Sequence, residues 1–360
     1  MTSTSGRLND SVGVTPHRVY GATVATAGLG ALALGLWLGG GLPGSGSSSI
    51  LSQSALTAWG LPISRFAVDV AAFGTMGMLI TCVLLPRSER GLSAAAHRCL
   101  RSAAGLALTW AAATAALLLF SWSDVTGLPV AALPLDQIIG GPQSSPDAVP
   151  FLVCSALAVI ISTAAGVTQT RKGAVVLLVL TGYNLLPLTT TGHAEHSPAM
   201  AYALTVHVVA LALWIGGLAG LLIHVRGSPP LLAVAVSRFG MMALGCYVAV
   251  AASGITLAWV NLRSAGDLWG TRYGLLLFFK TAGLLGVGLC GWWHRRRTVA
   301  AVARRRGTRP FVRLAAGEVV IMAATVAFGV ALSRSPTPGT GTGDAHSHAA
   351  VVHPAQPRLL

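Results

Sequence analysis

Nine apolar runs, each close to twenty residues long, leave this chain little choice of fold. They fall near residues 19–39, 66–86, 99–121, 149–169, 173–191, 199–224, 239–260, 273–294 and 314–333. A hydrocarbon layer ~30 Å thick is crossed by ~20 helical residues at 1.5 Å rise each. Inside it every backbone N–H and C=O must be paired within the segment, which selects helices. The reading is an all-α, polytopic membrane helix bundle of about nine transmembrane helices. Composition agrees: 9% of residues are charged and 53% hydrophobic, too few charges to cover a soluble protein of 360 residues. The 43 glycines suit helices that approach closely in lipid.

Loop charge sets the expected orientation. With the N-terminus inside, the cytoplasmic segments hold Arg7 and Arg18; Arg87, Arg90, Arg98 and Arg101; Arg171 and Lys172; Arg226 and Arg238; and eight arginines from Arg295 to Arg313. These make 18 of the 24 Lys and Arg residues. Every other loop is basic, as an odd number of spans requires, so the N-terminus is expected in the cytoplasm and the C-terminus outside. The first run is longer than the h-region of a cleaved leader and has no clear small-residue cleavage site, so it reads as a retained helix. Residues 1–18 form a cytoplasmic tail, and 335–360 read as an external disordered tail carrying His346, His348 and His353.

The net charge of +14 is spread in short clusters between spans and reads as a topology signal, with no nucleic-acid partner. The five cysteines lie in or at the ends of apolar runs without a CxxC pair and read as packing residues. A phosphate loop, HExxH and CxxCH are all missing, and the expectation is that the chain is not an enzyme.

The chemistry-bearing residues are histidines. His17, His97, His224 and His294 lie at cytoplasmic helix ends, where an imidazole joins the arginines in interfacial water. The densest group is external: His193, Glu195 and His196, then Met200 and His207. Ser197 suits an N-cap and Pro198 a first helical position, so the sixth helix should start there. His207 then lies roughly 14 Å below that start. It shares a face with Met200, and Leu211, Trp214 and Leu218 continue the stripe. An ionisable side chain at that depth belongs in the bundle interior. Imidazole with thioether suits copper, and thioether favours Cu(I). The plainer alternative for His207 is a single hydrogen bond to a neighbouring helix. Lys280, in the eighth span, is the other costly residue; it can snorkel outward, pair with a carboxylate such as Asp69, or cap a helix end, and reads as structural or gating. Gly216 and Gly220 form a GxxxG spacing for close helix contact.

One succession is more specific. It runs from Gly192-His193 to His207 and then Trp214-Ile215-Gly216-Gly217. It continues through Arg238-Phe239, Ser253-Gly254-Ile255, Trp259, Leu268-Trp269-Gly270-Thr271-Arg272-Tyr273-Gly274 and Lys280 to Arg295-Arg296-Arg297. It resembles the copper-resistance protein D (CopD) family of bacterial inner-membrane proteins over about residues 190–335. The resemblance implies copper transport or homeostasis in the plasma membrane, with a separate periplasmic or extracellular copper-binding partner of the CopC type. It carries over His193 and His207 as candidate metal positions, Trp214, Gly216 and Gly217 as a packing element, and Lys280; His196 and Met200 rest on the local argument. It divides the chain into a five-helix region, 19–190, and a CopD-like four-helix domain, 191–334. The competing reading is an assembly or electron-transfer membrane protein that delivers copper to an oxidase or ligates haem.

Overall fold

The computed structural model describes residues 16–39, 54–86, 91–133, 148–190, 198–261, 266–293, 296 and 309–332. All nine runs are helical within these residues: α1 (Pro16–Gly39), α2 (Ala55–Leu84), α3 (Ala94–Thr126), α4 (Ala148–Val167), α5 (Arg171–Tyr183), α6 (Pro198–His224), α7 (Pro229–Asn261), α8 (Arg272–Trp293) and α9 (Arg309–Leu332). Short helical turns lie at Val130–Ala132, Leu186–Thr190 and Asp267–Gly270, and the described residues form no β-strand.

Seven of the nine, α2 to α4 and α6 to α9, are long and apolar enough to cross a bilayer. The apolar part of α1 is shorter, Thr26–Leu38. The fifth run is a different case, because it does not form one continuous span. Its helix stops at Tyr183 and a separate turn covers Leu186–Thr190. Pro187 has no N–H to give the carbonyl four residues back, and beside the break the side-chain amide of Asn184 donates to the Cys154 carbonyl of α4 at 3.1 Å. Several helices outrun their apolar segments. α2 and α3 start at Ser54 and Ser93, whose hydroxyls accept from the N–H groups of Thr57 and Ala96, and α3 stops at Gly127 with φ 68°.

α2 is the hub. It packs on α3, α5 and α6, while α3 carries α4, α6 carries α7, and α9 joins α1 to α8. A continuous apolar core runs from α2 to α7 and takes in the start of α9, and a smaller one closes α1 onto α9 through Leu32, Leu36, Ala327 and Val330. Four of the five cysteines, Cys82, Cys99, Cys154 and Cys246, are buried and Cys290 is half-buried, all as free thiols. Polar bonds bind neighbouring helices: Ser155 and Ser162 of α4 donate to the Ala111 and Ala104 carbonyls of α3 at 3.0 and 2.8 Å.

The two ends of the bundle differ chemically. At one end Arg98 of α3 donates to the His224 carbonyl of α6, Ser102 bonds the His224 ring at 3.0 Å, and Arg238 of α7 donates to the Leu84 carbonyl of α2 at 2.8 Å. Near this end Arg296 covers the Trp292 ring at 4.5 Å. At the other end hydroxyls do the joining, Thr57 to Ser123 at 2.6 Å and Thr189 to Thr205 at 2.8 Å. Thus the termini of α2, α3, α6 and α7 that bear basic residues share one face, as the loop-charge pattern requires. Tyr202, Trp259 and Trp269 stand exposed near the far end and Trp292 and Trp293 near the basic end. Aromatic rings at both margins of an apolar bundle suit the two membrane–water interfaces.

Candidate functional site

His207 is the centre of the C-terminal half. The sixth helix starts at Pro198, as the Ser-Pro signal indicates, which puts His207 about 14 Å along it at 1.5 Å per residue. The ring is half-buried and turns to α7, where Nδ1 stands 3.0 Å from the Ser253 hydroxyl. Ser253 uses its own proton on the Ala249 carbonyl, at 2.6 Å, or on Val250 at 3.2 Å. A hydroxyl has one proton, so toward His207 it accepts, and Nδ1–H donates. The ring also bonds to the Val250 backbone, and a neutral ring with its proton on Nδ1 carries its lone pair on Nε2. The ring lies over Gly254, where a Cβ would be 3.6 Å from Cε1, so glycine there leaves room for the imidazole.

Lys280 of α8 points to the same region. It is close enough to His207 for the two to interact electrostatically. Its Nζ rests 3.8 Å from where a Cβ of Gly329 in α9 would be. Lys280 is about 12 Å along α8 from Arg272, whereas Gly329 is only about 5 Å from the end of α9 at Leu332, both at 1.5 Å per residue. Helical side chains tilt toward the helix N-terminus, so the ammonium reaches toward the end opposite the basic one, as a snorkelling lysine does. Asp69 is not its partner, for that carboxylate pairs with Arg65 one turn earlier in α2 at 3.9 Å. Among the described residues no carboxylate lies within ion-pair distance of Lys280.

The packing element behaves as its small residues suggest. Gly216 lies against the backbone of α2, and a Cβ there would collide with the Phe73 carbonyl and with Gly77. Gly220 meets Gly77 and Thr81, and Gly217 faces the Phe239 ring. The Thr81 hydroxyl donates to the Gly77 carbonyl at 2.8 Å and lies 3.4 Å from the Gly217 carbonyl. Trp214 is buried and meets Tyr247 of α7 edge-on, with ring centroids 5.6 Å apart and planes at 86°.

Of the other expected ligands, Met200 is half-buried in the first turn of α6, seven residues above His207 on the same face. His193 and His196 lie outside the described residues. Among the described residues, no three His, Cys, Asp or Glu side chains gather as a chelating cluster. Nor does a second described histidine share the depth of His207, since His17 stands in the first turn of α1 and His97 and His224 sit at the basic end. Two residues escaped the sequence reading. Ser253 was visible only as part of a motif, because nothing local shows which helix a serine will face. Glu318, 4% exposed within α9, is the one carboxylate in an otherwise apolar run, a signal that was available.

The fold and its ends define a polytopic helical membrane protein. Residues 233–332 match the family described as copper resistance protein D, and residues 55–203 match copper resistance protein D-like, N-terminal domain. The two stretches together cover more than half of the chain, which belongs to the copper resistance protein D family. The second match takes in α2 to α5, which carry no motif of the resemblance, and runs on through Gly192-His193 to the start of α6. His207, Trp214, Gly216 and Gly217 fall between the two matched stretches, and Lys280 falls inside the first. No curated protein and no solved structure matches the chain.

Proposed function

We propose that this protein moves copper ions across the plasma membrane, with His207 as the intramembrane ligand of a path through the α6–α9 half. Family membership supports a role in copper resistance. The observation that carries the residue assignment is the His207–Ser253 hydrogen bond at 3.0 Å. A metal-binding histidine needs its second nitrogen held by an acceptor, which sets the tautomer and the ring plane. Ser253, together with the Val250 backbone that also bonds the ring, supplies such support, and a neutral ring protonated on Nδ1 would present Nε2 to the ion.

In this reading the external His193 and His196, with Met200 at the head of α6, collect copper from outside or from a separate CopC-like carrier. His207 receives it about 10 Å deeper, two turns along the helix. The α2–α6 glycine contact holds α6 in place, and Lys280 sets the local charge. The ion is cargo, so spaced single ligands suit the task better than a tight chelating cluster. The chain acts without catalysing a covalent reaction, and oxidase assembly or haem ligation draws no support from the histidine placement among the described residues.

Copper titration of the purified protein, together with cellular copper content, tests the proposal in wild type, His193→Ala and His207→Ala. Weaker binding and altered copper content in the His207 variant support it; unchanged values in both variants end it.

A further inference from the structure

A groove of about 420 Å³ opens between α6 and α7, spanning the level of His207 without including it in its walls. Its α6 wall is Thr205, Val209 and Leu213, and its α7 wall includes Met242, Cys246 and Ala249. Two of these carry sulfur. Met242 and Cys246 are four residues apart and therefore neighbours on one helical face. Cys246 is only 6% exposed, lines the groove, and makes no hydrogen bond to any described residue. Ser253, the partner of His207, lies seven residues further along the same face, about 10 Å nearer the outer end.

The geometry points to a second metal station, in which Cys246 Sγ and Met242 Sδ bind Cu(I) one step inward of His207. This deepens the proposed copper path and rests on it. Thiolate and thioether are soft donors, and they select Cu(I) over the hard divalent cations that carboxylates and water hold. The surroundings favour the same ion. As the Cu–S bond forms the S–H bond breaks, and the proton passes to the anionic base that accompanies the Cu(I) ion into the groove, so a +1 ion and a −1 thiolate make a neutral unit. A neutral unit tolerates an apolar groove, whereas a divalent ion with the same two ligands would keep a net charge there. No electron transfer is involved, because the ion enters as Cu(I).

The test is X-ray absorption at the copper edge on the full-length protein in detergent, loaded with one equivalent of Cu(I) under reductant. Wild type, a Cys246→Ser/Met242→Leu double variant and His207→Ala are compared, with thermal unfolding of each as a control for folding. Four other cysteines stay in place throughout, so the assignment comes from the difference. The expected result is a Cu–S shell in wild type and His207→Ala that is lost in the folded double variant. Nitrogen or oxygen ligation alone in wild type, or an unchanged sulfur shell in the double variant, overturns the sulfur station while leaving His207 as a ligand. A wild-type protein that retains no Cu(I) overturns both this station and the copper path.

Discussion

The backbones of Gly77 in α2 and Gly216 in α6 touch, with each glycine occupying the space in which the other would need a Cβ. This contact joins the N-terminal helices to the helix that carries His207. Without a hydrophobic driving force between helices in lipid, such close backbone approach supplies dispersion contact along the seam. It also explains how the position of His207 depends on α2, a helix far away in the chain.

Gly216→Ala puts a methyl group into the Phe73 carbonyl, and backbone cannot swing aside. We expect a loss of about 1–3 kcal/mol, the usual cost of overpacking, read as a lower unfolding temperature in detergent. Gly217→Ala meets the Phe239 ring instead, which is able to rotate, so its loss should be smaller. Equal effects would argue against backbone contact as the reason for glycine at 216.

Ser253→Ala removes the hydroxyl that meets His207 Nδ1 and leaves the ring its bond to the Val250 backbone. The ring keeps its place over Gly254 but loses one of the bonds that orient it. Copper affinity should fall roughly 10–100-fold, as it does when the outer partner of a ligating histidine is lost. A titration of the folded variant reads this directly, and an unchanged affinity would remove the serine from the site.

Lys280→Met keeps a stem of similar length and removes a positive charge near His207. Two unit charges on the order of 10 Å apart at an effective dielectric of ~20 repel by about 1–2 kcal/mol, so a cation at His207 should bind about tenfold more tightly in the variant. Lys280→Arg should behave like wild type. Weaker binding in Lys280→Met would mean that the lysine holds the helices in place.

Trp214→Ala empties a buried site and breaks the edge-on contact with Tyr247. The expected cost is about 3–5 kcal/mol, again from thermal unfolding in detergent. Trp214→Phe keeps the ring contact and should cost clearly less.

The sequence read most clearly where one helix was enough. The start of α6 at Pro198 came from two adjacent residues, Ser197 and Pro198, and the basic ends from loop charge alone. The single carboxylate of α9, Glu318, is equally legible within its apolar run. The break in α5 was harder, because Pro187 hints at it but the amide of Asn184 finds its acceptor on α4. The Lys280 partner was open for the same kind of reason. Asp69 is a plausible acid by depth, yet Arg65 lies one turn away on its own helix and holds it.

By itself the sequence determined that this chain is a bundle of membrane helices, which residues are too polar to face lipid, and which end carries the arginines. Those are properties of single segments, set by length, periodicity and local charge. Only the tertiary structure decided that His207 faces Ser253, that Lys280 reaches to Gly329, and that Gly216 rests on Gly77. Each of these pairs lies on different helices, and the rotation of one helix against another follows from how their small and large side chains interlock, which no single segment records.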